Sequence, residues 1–154
     1  MSGSRLSGPG LIEGGSFIAT RNHKEVTMAS FMSSYSSQSY ALLRIVIGLL
    51  FALHGSQKLL SFPIDAHAGM PWHITYVAGS IELVGGLLVA VGLFTTWAAF
   101  LSSGLMAVAY WMVHGMNAFF PMENKGELAV LYCFVFLFIS AQGSGIWSFD
   151  ASRK

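Results

Sequence analysis

The sequence predicts an all-α fold, an integral membrane four-helix bundle, from composition and from the shape of its apolar stretches. Hydrophobic residues make up 54% of the 154 residues and charged residues only 10%, and the mean hydropathy is +0.61. This composition is far from that of a soluble domain. Stretches such as LVGGLLVAVGLF and LYCFVFLFIS are apolar on every side, whereas the helices of a soluble bundle would each keep a polar face.

The first 38 residues precede the apolar part of the chain. They are rich in Gly and Ser and never accumulate a long apolar run, which is typical of a disordered tail. They also lack the apolar core of about 7–15 residues that a secretory leader needs. We therefore expect a disordered tail over residues 1–38, a membrane domain over 39–150 and a short cytoplasmic tail over 151–154.

Four apolar stretches have about the length that a membrane-spanning helix requires, roughly 20 residues. Proline, glycine or paired threonines separate them, in SFPIDAHAGMPWH, TT and NAFFPMENKG, and such residues favour loops and turns. Four spans put both termini on one side, where lysine and arginine are in excess, so we expect cytoplasmic termini. The predicted spans cover about residues 40–60, 74–94, 97–116 and 127–147.

Charge and cysteine content exclude several kinds of function. The formal net charge of +1 provides no basic field that would recruit nucleic acid. A single cysteine, Cys133, allows neither an internal disulfide nor a thiolate metal site within one chain. We therefore expect membrane lipid but no nucleic acid as a partner and no metal, and the sequence sets no oligomeric state.

Three ionisable residues point to a polar cluster in the outer half of the bundle. Glu82, in GSIELVGG, lies about 12 Å below the outer boundary, where an acid costs on the order of 2–3 kcal/mol and needs a partner or a proton. His54 and Lys58, in FALHGSQKLL, share a helix face one turn apart. We predict a cluster of Glu82, His54 and Lys58 that relays protons; the alternative is a buried ion pair that only fixes helix register.

Further polar residues lie near the ends of the predicted spans. His114 and Glu127 would close the top of the cluster, although helix dipoles also favour Lys58, His114 and Glu127 at their positions. Tyr110 shares a face with His114 and is either an interfacial belt aromatic or a wall of the site. Arg44 lies within two turns of the cytoplasmic boundary, where its side chain is expected to snorkel to the interface.

Glycines recur on the helix faces that would carry the cluster. Gly48 and Gly55 are seven residues apart in the first span, and Gly79, Glu82 and Gly86 follow an i, i+3, i+7 pattern in the second. Small residues let membrane helices approach closely. This pattern predicts contact between the first two spans, with the acid facing a neighbouring helix.

The joint pattern LLRIVIGLLFALHGSQKL, IELVGGLLVAVGLFT, GLMAVAYWMVHGMNAFFPMENKGELAVLY and GSGIWSFD resembles the DoxX family of small bacterial membrane proteins. The resemblance covers about residues 40–150. It implies a four-helix protein of the bacterial inner membrane with cytoplasmic termini. The matched positions are Arg44, Gly48, His54, Gly55, Lys58, Glu82, Gly85, Gly86, Gly92, Ala109, His114, Phe119, Phe120, Glu127, Gly143, Gly145, Ser148 and Asp150.

The resemblance also implies a range of activities, because family members are named for a terminal quinol oxidase subunit and relatives include a membrane subunit of thiosulfate:quinone oxidoreductase. Other members are linked to oxidative-stress complexes. Family membership by itself is not a mechanism. Among the matched residues, we assign structural roles to Arg44, Gly48, Gly55, Gly85, Gly86 and Asp150.

The first functional hypothesis is a membrane subunit of a quinone-linked oxidoreductase or of a respiratory or oxidative-stress complex. Quinone chemistry needs hydrogen-bond donors and a proton carrier. Electrons would come from a partner subunit or substrate, since the chain has no cysteine cluster, flavin fingerprint or dinucleotide motif. The proton relay would be Glu82, His54 and Lys58, and the quinone-binding residues would be His54, His114, Glu127 and Tyr110.

Two other functions compete with the first. The protein is either a non-catalytic assembly subunit, in which the cluster is structural, or a small-solute or proton-coupled transporter. Haem is disfavoured because His54 and His114 lie at different depths, and no covalently bound cofactor is expected. Whether the protein is an enzyme stays open at this point.

Overall fold

The computed structural model describes residues 32–65 and 69–153. Within these ranges every regular element is a helix and no strand occurs. The elements below belong to the unit Ser34–Lys154; of the preceding unit, Met1–Ser33, only residues 32 and 33 are described, and both are helical. The tail expected over residues 1–38 thus lies outside the described residues up to residue 31.

Three helices are long and apolar enough to cross a membrane, and a fourth apolar helix is shorter. The first of these helices begins at residue 36, four residues before the expected start of the first span. The fourth ends at residue 142, five residues before its expected end, because a glycine with a φ of 82° follows it. The helices are α1 (Ser36–Leu60), α2 (His73–Val91), α3 (Thr95–His114), α4 (Pro121–Asn124), α5 (Glu127–Gln142) and α6 (Phe149–Ser152).

Glycines bring α1 and α2 into backbone contact. A Cβ atom built on Gly48 would lie 2.6 Å from the nitrogen of Ala90, and one built on Gly86 would lie 2.5 Å from the nitrogen of Ala52. Gly55 is equally tight, since its Cβ would lie 2.3 Å from the nitrogen of Leu83. No side chain fits in these gaps, so the close approach predicted from the glycine spacing is confirmed.

The core lies between α1, α3 and α5, and Val89 of α2 is fully buried in it. Phe51 of α1 packs against Tyr132 and Phe136 of α5, with ring centroids 5.3 and 4.6 Å apart. Ser103 of α3 donates a hydrogen bond of 2.8 Å to the carbonyl of Cys133. Large apolar side chains cover the outside of the bundle, as is typical of a helical membrane protein whose surface faces lipid. Examples on α3 and α5 are Phe100, Leu101, Leu128, Leu131, Phe134 and Phe138.

Arg44 is completely buried, with an exposed fraction of 0%, so the expectation that it snorkels to the interface is wrong. Its guanidinium donates to the carbonyls of Val89 and Ala90 at the end of α2, at 2.6 and 2.8 Å, and to the carbonyl of Trp147 at 2.7 Å. The last carbonyls of a helix lack the usual partner four residues on, and that of Val89 also accepts a hydrogen bond of 3.2 Å from the Gly92 nitrogen. Arg44 therefore ties α1 to the end of α2 and to the segment that follows α5.

That segment, residues 143–153, forms what we call the C-terminal clasp. The carboxylate of Asp150 accepts hydrogen bonds of 3.0 and 2.9 Å from the backbone nitrogens of Phe94 and Thr95, and one of 2.9 Å from the Thr95 hydroxyl. A carboxylate here satisfies free N–H groups and complements the helix dipole. Asp150 thus caps α3 from a position 55 residues away in sequence, which supports the structural role expected for it.

The cap also affects the ionisation of Asp150. Burial opposes its ionisation, but the hydrogen bonds from Thr95 and Phe94 outweigh burial and hold the pKa of this carboxyl below its usual value. Gly92 lies directly beside the cap, and its carbonyl accepts a hydrogen bond of 2.9 Å from the Asp150 nitrogen. Gly92 has a φ of 74°, and a Cβ there would lie 2.3 Å from the Cβ of Ser148, so only glycine fits this turn.

Candidate functional site

A cavity of about 730 Å³ lies at the end of the bundle opposite the C-terminal clasp. It is formed by the C-terminal halves of α1 and α3, the N-terminal half of α2 and the start of α5. Apolar side chains make up most of its wall: Phe51, Met70, Ile74, Val77, Ala78, Leu105, Met106, Val108, Ala109, Met112, Val113, Leu128 and Ala129. Polar and ionisable side chains complete it: His54, Gln57, Lys58, His73, Glu82, His114, Lys125 and Tyr132.

Lys58 and Glu82 form an ion pair in this wall. The ammonium of Lys58 donates to both carboxylate oxygens of Glu82. Glu82 is almost entirely enclosed, with 3% of its side chain exposed, whereas 20% of the Lys58 side chain is exposed. The buried acid therefore has the partner that its depth demanded, and both members of the pair line the cavity, with the lysine the more exposed.

His54 lies one turn before Lys58 on α1 and lines the same cavity. Its ring packs edge-on against the ring of Tyr132, with centroids 5.9 Å apart. Within the described residues no hydrogen bond reaches the imidazole nitrogens of His54, so they are available to a ligand. The sequence predicts that His54 lies with Lys58 and Glu82, and in the structure all three side chains line the same cavity.

His114 enters the cavity from the end of α3. Its Nδ1 lies 2.9 Å from the carbonyl oxygen of Asn124. Because a carbonyl only accepts hydrogen bonds, Nδ1 must carry the proton, which leaves Nε2 of the neutral ring as an acceptor. The short connection before α5 therefore fixes both the orientation and the tautomer of His114.

Two residues predicted for the site do not line the cavity. The hydroxyl of Tyr110 donates to the carbonyl of Phe119 at 2.9 Å and accepts from the Asn124 amide at 3.2 Å, so it holds the loop between α3 and α5. Glu127 lines a separate shallow recess on the outside of the bundle. Neither side chain is brought to the Lys58–Glu82 pair.

Sequence reasoning missed other parts of the site. Tyr132, in the phenylalanine-rich α5, lies beside His54 at the floor of the cavity, and His73 lines it from the start of α2. The periodicity of α5 carries no signal for Tyr132, because its neighbours are apolar on all sides. The position of His73 at the start of a span, on the same side as Lys58, is a signal that could have found it.

Three π-helical turns flank the cavity. Two lie in α2, at His73–Ala78 and Ile81–Gly85, and one ends α3, at Tyr110–His114. A π turn shifts the helical register and often occurs at functional sites. The three π turns contain His73, Glu82 and His114. Each of these cavity-lining residues of α2 and α3 therefore lies in a π turn and not in regular α-helix.

The chemistry open to this site follows from its lining. An apolar wall suits a hydrophobic ring and tail, and a few polar groups at one end would fix a headgroup. In residues 32–65 and 69–153, no three His, Cys, Asp or Glu side chains come together as a metal site. The described arrangement can donate a hydrogen bond from Lys58, accept or donate at His54 and His114, and hold a negative charge at Glu82.

Comparisons with known proteins agree on a family. The DoxX sequence profile matches residues 39–115. An uncharacterized protein of Haemophilus influenzae is 42% identical over 125 residues, covering 77% of this chain and 93% of the relative. A second uncharacterized protein of that organism is 29% identical over 99 residues, covering 64% of each chain.

One relative has a functional name. A Bacillus subtilis protein named "Putative oxidoreductase CatD" is 38% identical over 58 residues, which cover 35% of this chain and 43% of that protein. No solved structure matches the chain. The profile match extends from α1 through α3 and includes Lys58, Glu82 and His114, and the chain therefore belongs to the DoxX family.

Proposed function

We propose that this protein is the membrane subunit of a quinone-linked oxidoreductase and that the cavity binds the ring and the first part of the tail of a lipophilic quinone. One observation carries the proposal: an apolar cavity of about 730 Å³ is lined by the Lys58–Glu82 pair and two imidazoles. This combination of apolar volume and a few convergent polar groups is typical of ligand sites. The name of the Bacillus subtilis relative supports an oxidoreductase.

The polar residues have distinct roles in this proposal. Lys58 donates a hydrogen bond to a ring oxygen, and His54 and His114 exchange protons with the ring oxygens as these gain or lose electrons. Glu82 accepts hydrogen bonds from the Lys58 ammonium and so orients it. Electrons come from a partner protein or a soluble substrate, in keeping with a membrane subunit of a larger complex.

The proposal includes a topology with α5 as a fourth span and both termini in the cytoplasm of a bacterial inner membrane. With 16 residues, α5 is about 24 Å long, compared with about 30 Å of hydrocarbon. Its exposed Leu131, Phe134 and Phe138 support contact with lipid along most of that length. The cavity then lies in the outer half of the membrane.

Topology is tested by labelling a cysteine introduced at Asp65, in the connection after α1, in a Cys133→Ala background. A membrane-impermeant maleimide added to intact cells should label Asp65→Cys. Labelling only after the cytoplasmic face is opened would contradict the proposed orientation. A cysteine at Ser152, in the C-terminal clasp, is the matched control and should react only from the cytoplasmic side.

Ligand binding is tested by filling the cavity. Ala109 lines it, and Ala109→Trp should abolish binding of decyl-ubiquinone to the purified protein, measured by quenching of tryptophan fluorescence and by equilibrium dialysis. Gly104→Trp is the matched control on the same helix, because Gly104 is exposed and a Cβ atom built on it meets nothing within 4 Å. Equal binding by both variants and the parent would refute the cavity as the quinone site, and no binding by the parent would favour the assembly-subunit alternative.

A further inference from the structure

The Lys58–Glu82 pair is asymmetric toward the cavity. Both Glu82 oxygens contact the Lys58 ammonium, and the acid is 3% exposed against 20% for the lysine side chain. An ammonium has three N–H donors, so one donor remains after two have bonded to Glu82. The group that a ligand meets first is therefore a cation with a free donor.

The remaining charge around the cavity has the same sign. Lys125 lines the cavity from the turn after α4, and within the described residues the ion pair of Lys58 with Glu82 is the one salt bridge. Among the described residues, the other titratable groups that line the cavity are three imidazoles, which are neutral or positive, and one phenol, which is neutral near pH 7: His54, His73, His114 and Tyr132. With neutral imidazoles, two lysines and one glutamate leave a net positive lining.

From this asymmetry, and resting on the proposed function, we infer that the cavity selects the anionic, phenolate form of its ligand over the neutral form. In a wall of low dielectric constant, a cation in contact with a phenolate oxygen stabilises the anion far more than it does in water. In the pH range in which its phenolic proton is lost, a hydroquinone then binds more tightly than the quinone of the same tail, which has no such proton.

The inference is tested with two probes, a nonyl-substituted nitrophenol and its methyl ether, added to the full-length protein in neutral detergent micelles. Nitrophenolate absorbs visible light, so absorbance gives the ionised fraction of bound probe at each pH. We expect the phenolate to bind at least about tenfold more tightly than the neutral phenol, which equals a drop of about one unit in the probe's pKa. The methyl ether cannot ionise, so its affinity should not change across the pH range in which the phenol ionises.

Variants assign the effect to Lys58. In Glu82→Gln the counter-charge is lost, so preference for the phenolate should increase. In the double variant Lys58→Met/Glu82→Gln both charges are absent, no unpaired charge is left in the wall, and the preference should disappear. Lys125→Met, at the mouth, should keep most of it. All four proteins retain the three histidines, so differences among them report the lysines and the acid.

The outcomes separate this inference from the proposed function. If the parent and Ala109→Trp behave alike and neither binds a probe, the cavity is not a ligand site and both proposals fail. If phenol and ether bind equally, or the pKa of the phenol rises on binding, the anion preference alone is wrong. A preference that survives in the double variant would overturn its assignment to Lys58.

Discussion

The buried ion pair predicts an unequal response to the loss of either partner. Lys58→Met leaves the carboxylate of Glu82 without a counter-ion in a site where 3% of it is exposed. Breaking a buried pair in this way costs about 3–5 kcal/mol. This loss cannot exceed the free energy of protonating Glu82, because a neutral carboxyl needs no counter-ion. For a glutamate of ordinary acidity at pH 7, that free energy is about 3.7 kcal/mol. We therefore expect a loss of about 3–4 kcal/mol for Lys58→Met at pH 7.

Glu82→Gln should cost less. The lysine left behind lies in the last turn of α1, where the helix dipole favours a cation, and its ammonium can still donate a hydrogen bond to the amide oxygen of the new side chain. The loss is then that of a charge-assisted hydrogen bond, about 1.5–3 kcal/mol. The double variant Lys58→Met/Glu82→Gln, with no charge left in the wall, should be more stable than Lys58→Met alone.

Reversible unfolding in mixed micelles, with increasing fractions of a denaturing detergent and helix content as the signal, measures these free energies. At pH 5 the free energy of protonating a glutamate of ordinary acidity falls to about 1 kcal/mol. Most of the stability that Lys58→Met loses at pH 7 should therefore be recovered at pH 5. Lys125→Met, at an exposed position, should stay within about 0.5 kcal/mol of the parent. A Glu82→Gln variant less stable than Lys58→Met, or a Lys58→Met defect unchanged at pH 5, would refute the reasoning.

Three further predictions concern packing and the clasp, and the same unfolding assay measures each. Gly86→Ala should destabilise by about 1–3 kcal/mol, because its Cβ would lie 2.5 Å from the Ala52 nitrogen; Gly104→Ala, in open space, should be neutral or slightly stabilising. Arg44→Lys should cost about 1–3 kcal/mol, because an ammonium cannot reach carbonyls of both α2 and the clasp; equal stability would contradict this. Because the pKa of Asp150 is lower in the folded protein than in the unfolded chain, its contribution to the free energy of unfolding is complete above about pH 3.9 and is lost as the pH falls through the folded pKa. Asp150→Asn should therefore lose less stability in acid than the parent does. An acid profile identical to that of the parent would count against the cap.

The part of the site that could be predicted from the sequence is the part that charge and spacing determine directly. Glu82 is too deep to stay unpaired, and Lys58 is the cation at a reachable depth, so their pairing follows from the cost of a buried charge. The contact of α1 with α2 follows in the same way from Gly48 and Gly86, since missing side chains on facing surfaces allow backbone contact.

The residues that were missed depend on features that a linear pattern does not encode. Burial of Arg44 requires carbonyls from α2 and from the clasp to converge on one point, and those carbonyls lie 45 and 103 residues away. The π turns have no composition signature, so the orientation of His114 could not be derived. Tyr132 faces the cavity because α5 packs on α3, and an evenly apolar helix gives no indication of its rotation.

The capping of α3 by Asp150 has a consequence for how the protein is made. A ribosome that has just produced Thr95 must add 55 more residues before the capping carboxylate exists. During that interval α1 to α3 can enter the membrane, but the start of α3 still has unpaired N–H groups and Arg44 still lacks the Trp147 carbonyl. The hydrogen bonds that cap α3 and complete the surroundings of Arg44 are therefore formed only after the segment that carries Trp147 and Asp150 has been synthesised.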